Sequence, residues 1–397
     1  MQALRLSAYT LTSALGAGLA DHVAALRAQR SGIVRQHWET IDFEFCMGEV
    51  AGVDEVVLDS TFARYDCRNN RLAQLALEQD GFADRVRQAI GQYGPARVAV
   101  LLGSSTSGIL NSEIAYRQRD PDTGRLPDDL HYRETHNSYS VADFVRRYFQ
   151  LSGPACVIST ACSSSAKVFA TAARMIDAGL VDAAIVGGVD SLCLTTVYGF
   201  SSLQLVSPDP CRPFDAQRNG ISIGEGAAYA LLERPAVKAA GEIWLTGAGE
   251  SSDAYHMSSP HPEGRGAQQA MRAALTSAGL QPTDIGYINL HGTATPSNDA
   301  AEDAAVCAVF GSSTPASSTK GHTGHTLGAA GGIEAVISAL VLSEGFLPAG
   351  VGTTTLDPAL HCHYLLAPQD RQVQHVLSNS FGFGGSNCSL VFSKVQA

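Results

Sequence analysis

Short apolar, β-prone runs alternate with helix-like runs along nearly the whole chain, and this alternation constrains the fold more than any other feature. Strand-like runs fall at 97–102, 155–159, 183–187, 227–232, 242–247 and 285–290. Helix-like runs fall at 163–178, 266–278, 299–310 and 327–343. Such a succession builds layered α/β structure. With 397 residues, 45% of them hydrophobic, the chain can bury one large core or two fused cores. No sharp linker divides it, but Glu233-Arg234-Pro235 closes one strand and Gly241 precedes the next, which puts a soft boundary near 240 and domains at 1–240 and 241–397. Residues 112–137 are polar, carry Asp120-Pro121-Asp122, and read as a surface insertion.

The junction between 155–159 and 163–178 holds Thr160-Ala161-Cys162-Ser163-Ser164. Cys162 therefore falls at a helix N-terminus, where unpaired N–H groups and the macrodipole favour a thiolate. Ser163, Ser164 and Ser165 offer capping hydroxyls there. The bland alternative is a buried free cysteine. The chain has nine cysteines with no Cys-x-x-Cys pair, so neither a disulfide framework nor a zinc site is expected.

Downstream, His291-Gly292-Thr293-Ala294-Thr295 and Lys320-Gly321-His322-Thr323-Gly324-His325 place imidazoles in loops between strand-like and helix-like runs. Each histidine has a structural reading, a bond that holds its own turn. A neutral imidazole can also donate to a developing enolate oxygen. Lys320 lies in a segment otherwise free of charge, with Glu334 on the following helix as its partner. Near the end, Asn379-Ser380-Phe381-Gly382-Phe383-Gly384-Gly385-Ser386-Asn387 joins Val376-Leu377-Ser378 to Leu390-Val391-Phe392 as a hairpin turn. Asp299 and Glu302 share a helical face and are expected to bond to neighbouring loops, not to act as an acid/base pair. The stretch Asp215 to Gly226 lacks the alternating carboxylates of a calcium loop.

Charge and hydropathy narrow the setting. A net charge of −11 argues against nucleic acid as partner. No run approaches the roughly 18 consecutive apolar residues of a membrane span. The opening Met1-Gln2-Ala3-Leu4-Arg5-Leu6 enters a strand directly, without the parts of a signal peptide. The expectation is a soluble cytoplasmic protein.

In order and separation, the four motifs resemble those of the β-ketoacyl-acyl-carrier-protein synthases, the elongating condensing enzymes of the thiolase superfamily, over essentially the whole chain. The resemblance implies a thiolase-like fold, duplicated βαβαβαββ halves in five layers, α-β-α-β-α. It implies that Cys162 takes an acyl group from a carrier-protein thioester, that His291 and His325 assist decarboxylation of a malonyl thioester, and that Lys320, with Glu334 in structural support, orients the second histidine. By the same resemblance, the N–H groups of Cys162 and Phe383 form an oxyanion hole, the Phe383 ring gates the pocket, Thr106 and Phe200 line its far end, and Thr293 and Thr295 bind substrate. No metal or dissociable cofactor is implied, since phosphopantetheine arrives on the acyl carrier protein. A dimer is implied, either a homodimer or a heterodimer with a homologous subunit.

Rivals follow from the same residues. Thiolase fits poorly with two histidine loops and phenylalanines in the last motif; initiating condensing enzymes pair one histidine with an asparagine. A silent partner subunit would lack Cys162. A cysteine hydrolase could use Cys162, His291 and Asn379. Relatives dock an acidic carrier through basic residues on the helix reading here Arg64-Tyr65-Asp66-Cys67-Arg68-Asn69-Asn70-Arg71, where the patch is thinner, with Gln204 at another basic position. A dedicated carrier is expected, and Asn219-Gly220-Ile221-Ser222-Ile223-Gly224 resembles accessory pathways such as aryl polyene synthesis.

Overall fold

The structure, a computed structural model, describes residues 1–235 and 237–396. Strands of the first half are β1 (Leu4–Ser13), β2 (Val98–Gly103), β3 (Ala155–Ile158), β4 (Ala183–Asp190) and β5 (Gly226–Glu233). Those of the second are β6 (Ile243–Ser252), β7 (Tyr287–Asn289), β8 (Pro315–Ser317), β9 (His363–Tyr364), β10 (His375–Gly382) and β11 (Ser386–Lys394). The helices that cover them are α1 (Arg68–Leu77), α2 (Phe82–Tyr93), α3 (Ser140–Tyr148), α4 (Ser164–Asp177), α5 (Leu194–Ser202), α6 (Arg265–Ala278), α7 (Pro296–Phe310) and α8 (Ala330–Glu344).

The strands join in the order β9-β8-β7-β10-β11-β6-β1-β5-β4-β2-β3, with Gly16–Ala17 paired to the end of β1. Within this order the two halves repeat. The first runs β3-β2-β4-β5-β1 and the second β8-β7-β10-β11-β6, with parallel pairs at β2–β3, β2–β4, β7–β8 and β7–β10, and antiparallel pairs elsewhere in each set. The halves meet where Leu4 faces Leu245 and Arg5 faces Trp244, so the sheet crosses residue 240 without a break.

Helices α4 and α8 lie between the two halves of the sheet, α1, α2 and α3 cover one outer face, and α6 and α7 cover the other. These are the five layers of the thiolase-like fold. Strands β2, β4 and β5 are buried on both faces, which is why they read as continuous apolar runs. Helix α8 is apolar all round for the same reason. The helical stretch Leu327–Glu344 is the one helix among the described residues long and apolar enough to cross a membrane, and it is packed between the sheets.

Some elements differ from expectation. Residues 112–117, read as the start of a loop insertion, finish the helix Ile109–Arg117, and the irregular part begins afterwards. Helix α7 starts at Pro296, since proline in a first turn gives up only an N–H that has no partner there.

The basic segment before and within α1 is largely unavailable for docking. Arg68 is buried and bound to Glu225 at 2.6 and 2.9 Å, with Asp54 and Glu49 also in reach. Glu225 in turn accepts from the N–H groups of Val50 and Leu192. Arg71 is committed to Asp66, and Arg64 alone stays exposed, 3.4 Å from Glu134. Removing Arg68 leaves the Glu225 carboxylate buried and unpaired. Arg68→Ala is expected to cost about 3–5 kcal/mol in urea unfolding, whereas Arg71→Ala, which breaks a partly exposed pair, should cost under about 1 kcal/mol. Equal shifts in the two midpoints would contradict this account.

Candidate active site

Between β3 and α4 the chain turns through Ala161, whose φ of 52° is left-handed, a conformation that costs a non-glycine residue roughly 1–2 kcal/mol. Side chains brace the turn. The Thr160 N–H donates to Ser164 Oγ at 2.9 Å, Ser164 Oγ donates to Ala161 O, and Ser163 Oγ donates to Thr160 O at 2.9 Å. Of the three serines expected to cap α4, Ser163 and Ser164 therefore hold the turn, Ser165 Oγ accepts the Gly332 N–H of α8 at 2.8 Å, and the helix N-cap, Ser163, makes no side-chain capping bond. Cys162 sits just outside the helix, nearly buried.

His291 emerges where β7 ends, on a loop held by two carboxylates from α7. Glu302 accepts the N–H groups of His291 and Gly292 at 2.8 and 2.7 Å and the Asn379 amide at 3.1 Å. Asp299 accepts the N–H groups of Thr293, Ala294 and Phe214. Burial pushes Glu302 up to about 7 against these bonds, and it raises Asp299 as well. Both acids serve the loops, and neither faces the cleft as an acid/base pair.

Lys320 opens the single helical turn Lys320–Thr323, and its ammonium is buried against Glu334, His291 O and, at 3.3 Å, His291 Nδ1. Lys320 thus contacts the first histidine directly, where a role in orienting the second was expected. Its charge also acts on His325, lowering that ring along with burial. His325 Nε2 lies 3.0 Å from Cys162 Sγ, and the Leu327 N–H donates to His325 Nδ1 at 3.2 Å. The two imidazoles stand 5.5 Å apart and nearly perpendicular. Burial, with the Lys320 charge beside them, holds both well below the ordinary 6.5, so both are neutral. An ammonium and an amide N–H can only donate. The Nδ1 of each ring accepts such a bond, so each ring carries its hydrogen on Nε2.

The ligand atoms of Cys162, His291 and His325 fall within 4.8 Å of one another, a spacing that could hold a metal ion. The hydrogen pattern does not fit one, because binding at Nε2 of His325 would move its hydrogen to Nδ1, against the Leu327 N–H. Two Nε2–H groups converging on one spot suit an oxyanion instead.

The Cys162 thiol departs from expectation. Burial raises it from the ordinary 9.0 to about 11, outweighing Lys320 and the main-chain N–H groups of Phe383 and Cys162 that lie against the sulfur. Those two N–H groups are the pair expected to form an oxyanion hole. Gly382 permits their approach, since a Cβ there would come 2.8 Å from Thr160 O and 3.3 Å from the Cys162 nitrogen.

The sulfur and both imidazoles line a cleft whose walls include Phe200, Leu205 and Ile221. Phe383, partly exposed, stands at its mouth with its ring 5.7 Å from that of Phe200. Thr293 and Thr295 also line it, their hydroxyls 2.9 Å apart. Thr106 does not. It lies in a separate surface depression with Tyr132 and His136, its hydroxyl turned onto the buried carboxylate of Asp190. Asp190 was not anticipated: it accepts from Ser104, Ser105, Thr106 and Ala329, tying the β2 end to the segment after His325. Its only sequence signal is an acid closing a long apolar run.

The beta-ketoacyl synthase N-terminal domain matches residues 69–237, and the C-terminal domain matches residues 244–354. The 3-oxoacyl-[acyl-carrier-protein] synthase 2 of Staphylococcus aureus is 34% identical over 335 residues, 76% of either chain. Among solved structures, a chain from a ketosynthase in complex with its chain length factor, from Xenorhabdus doucetiae, is 40% identical with a TM-score of 0.91, covering 99% of this chain and 98% of that one. A beta-ketoacyl synthase from Burkholderia phymatum is 28% identical with a TM-score of 0.86 over the full length of both. With both halves of the fold matched and the relatives spanning the cleft, the chain belongs to the β-ketoacyl synthase family of condensing acyltransferases.

Proposed function

We propose that Cys162 carries the growing acyl chain and that His291 and His325 stabilise the enolate formed when a malonyl thioester loses carbon dioxide. The observation that carries this reading is the convergence of Cys162 Sγ with two Nε2–H donors at the base of an apolar cleft. In the first half-reaction the Cys162 sulfur attacks the thioester of an acyl carrier protein. Its proton leaves with the departing pantetheine thiol, and the Cys162 and Phe383 N–H groups hold the carbonyl oxygen. In the second, the malonyl carboxylate departs as carbon dioxide and its electron pair moves onto the thioester oxygen between the two histidines. The carbon then attacks the acyl-cysteine, and the released thiolate takes up one proton. The product is a β-ketoacyl chain two carbons longer.

The reaction so written needs no metal or dissociable cofactor. Phosphopantetheine comes with the carrier, whose arm Thr293 and Thr295 are placed to meet. With Arg68 buried and Arg71 paired, we assign the chain a dedicated carrier. We also assign it a dimer with a homologous subunit, supported by the paired arrangement of the Xenorhabdus doucetiae relative. A homodimer is the alternative. The rings of Phe200 and Phe383, 5.7 Å apart and tilted by 54°, offer aromatic surface to an unsaturated chain, in line with an aryl-polyene-type pathway.

Intact-mass measurement after incubation with saturated and polyenyl carrier proteins checks the assignment. An acyl adduct is expected on the parent and none on Cys162→Ala, which should also lose condensation. Condensation by Cys162→Ala at the parental rate would overturn it, and equal acylation from every primer would remove the polyene assignment.

Three further outcomes follow from the geometry and electrostatics of the site. Gly382→Ala should lower kcat about a hundredfold by displacing the Phe383 N–H, with little change in KM. Because the thiol sits near 11, alkylation of Cys162 by iodoacetamide should rise about tenfold per pH unit from pH 7 to 10. A plateau near neutrality would mean an activated resting thiolate. Malonyl decarboxylation, by contrast, should hold its rate as pH falls through 6.5, because both histidines stay neutral below that value.

A further inference from the structure

The turn that carries Lys320 and His325 holds a third candidate side chain that the mechanism does not use. His322 is fully buried and points away from the cleft. Its Nδ1 lies 2.8 Å from Arg30 O, and its Nε2 lies 3.1 Å from Ala349 O. Its own carbonyl accepts the Gly32 N–H at 2.8 Å, and the Ser31 hydroxyl donates to Gly321 O at 2.8 Å. Residues 30–32 are thus laid along the catalytic turn. Val351 backs it on the other side, so close that a Cβ on Gly321 would lie 2.0 Å from Val351 O.

Both neighbours of the ring are carbonyl oxygens, which only accept. Burial, with the Arg30 charge adding to it, lowers His322 from the ordinary 6.5, so at neutral pH the ring has one hydrogen. One contact is then a hydrogen bond, and the other sets a ring lone pair against a carbonyl lone pair. The shorter contact, to Arg30 O, takes the hydrogen. A single helical turn bounded by Gly324, whose φ is 75°, has little stiffness of its own.

We propose that His322 is a positioning residue. Its Nδ1–H bond to Arg30 O latches the Lys320–Thr323 turn to residues 30–32 and so sets the distance of His325 from Cys162. The proposal rests on the assigned role of His325 in decarboxylation.

The test uses the side chains that mimic one ring nitrogen each. His322→Asn keeps a donor at the Nδ1 position and His322→Gln keeps one at the Nε2 position. His322→Asn should stay within about threefold of the parent in malonyl decarboxylation, while His322→Gln should lose at least about tenfold in kcat. In both, KM for the carrier thioester and the rate of Cys162 acylation should be unchanged, which also shows that each variant is folded. Ser31→Ala, which removes the neighbouring bond of the same latch, should lose decarboxylation in the same direction by a smaller factor. Equal losses in His322→Asn and His322→Gln, or losses of acylation and decarboxylation in step, would overturn the proposal. If His322→Gln were the active variant, the latch would be to Ala349 and the assignment would also fall. His325→Ala, run alongside, separates the two ideas, since decarboxylation surviving in that variant refutes the role of His325 whatever His322 does.

Discussion

The buried contact between the Lys320 ammonium and Glu334 is the constraint on which the rest of the site depends. Removing both charges from water is costly, and the pair is tolerable because the ammonium also reaches His291 O and Nδ1. One cation thereby fixes the hydrogen of His291 and ties the turn 320–323 to helix α8. Two unit charges about 4 Å apart interact by about 4 kcal/mol at an effective dielectric of 20, enough to bias every titratable group nearby. The Lys320 charge lowers all three groups, which keeps both histidines neutral and favours the thiolate of Cys162.

For the thiol, that pull is not enough. A helix terminus contributes about 0.3–1 kcal/mol, less than one pKa unit, which is worth about 1.4 kcal/mol. Burial outweighs these lowering influences and leaves Cys162 raised from 9.0 to about 11. The closed cleft therefore holds a resting thiol, and the macrodipole argument, sound for an exposed cysteine, loses to desolvation here. The same burial strengthens any hydrogen bond that two neutral imidazole N–H groups give to a developing oxyanion.

Much of this was legible in the chain. Strands β2, β4 and β5 announce themselves as apolar runs because they are covered on both faces, and Cys162, His291, Lys320 and His325 stand at strand ends, where an α/β sheet places its chemistry. The duplication was not legible, because the halves share strand order and pairing and not residue patterns. The roles of Ser163 and Ser164 were misread because a hydroxyl at a helix start can turn either way, and here they turn back onto the carbonyls of Thr160 and Ala161. Thr106 was misplaced, and the burial of Arg68 within the thin basic patch went unseen, for one reason. Their partners, Asp190 and Glu225, lie 84 and 157 residues away and cannot be inferred from local pattern.

The division of the site between halves has a physical consequence. Cys162 comes from the first half at the start of α4, while His291, Lys320 and His325 come from the second, and α4 and α8 pack against each other between the sheets. Phe169 of α4 and Ala335 and Ala339 of α8 belong to one core with Phe392 of β11 and Leu101 of β2. That core cannot close until both halves are present. The 3.0 Å separation of Cys162 and His325 is therefore a property of the interface between repeats, not of either repeat. A fold built by duplication places its nucleophile and its histidines on opposite sides of its own seam, where the packing of α4 against α8, together with the contacts of residues 30–32 along the Lys320–Thr323 turn, keeps them in register.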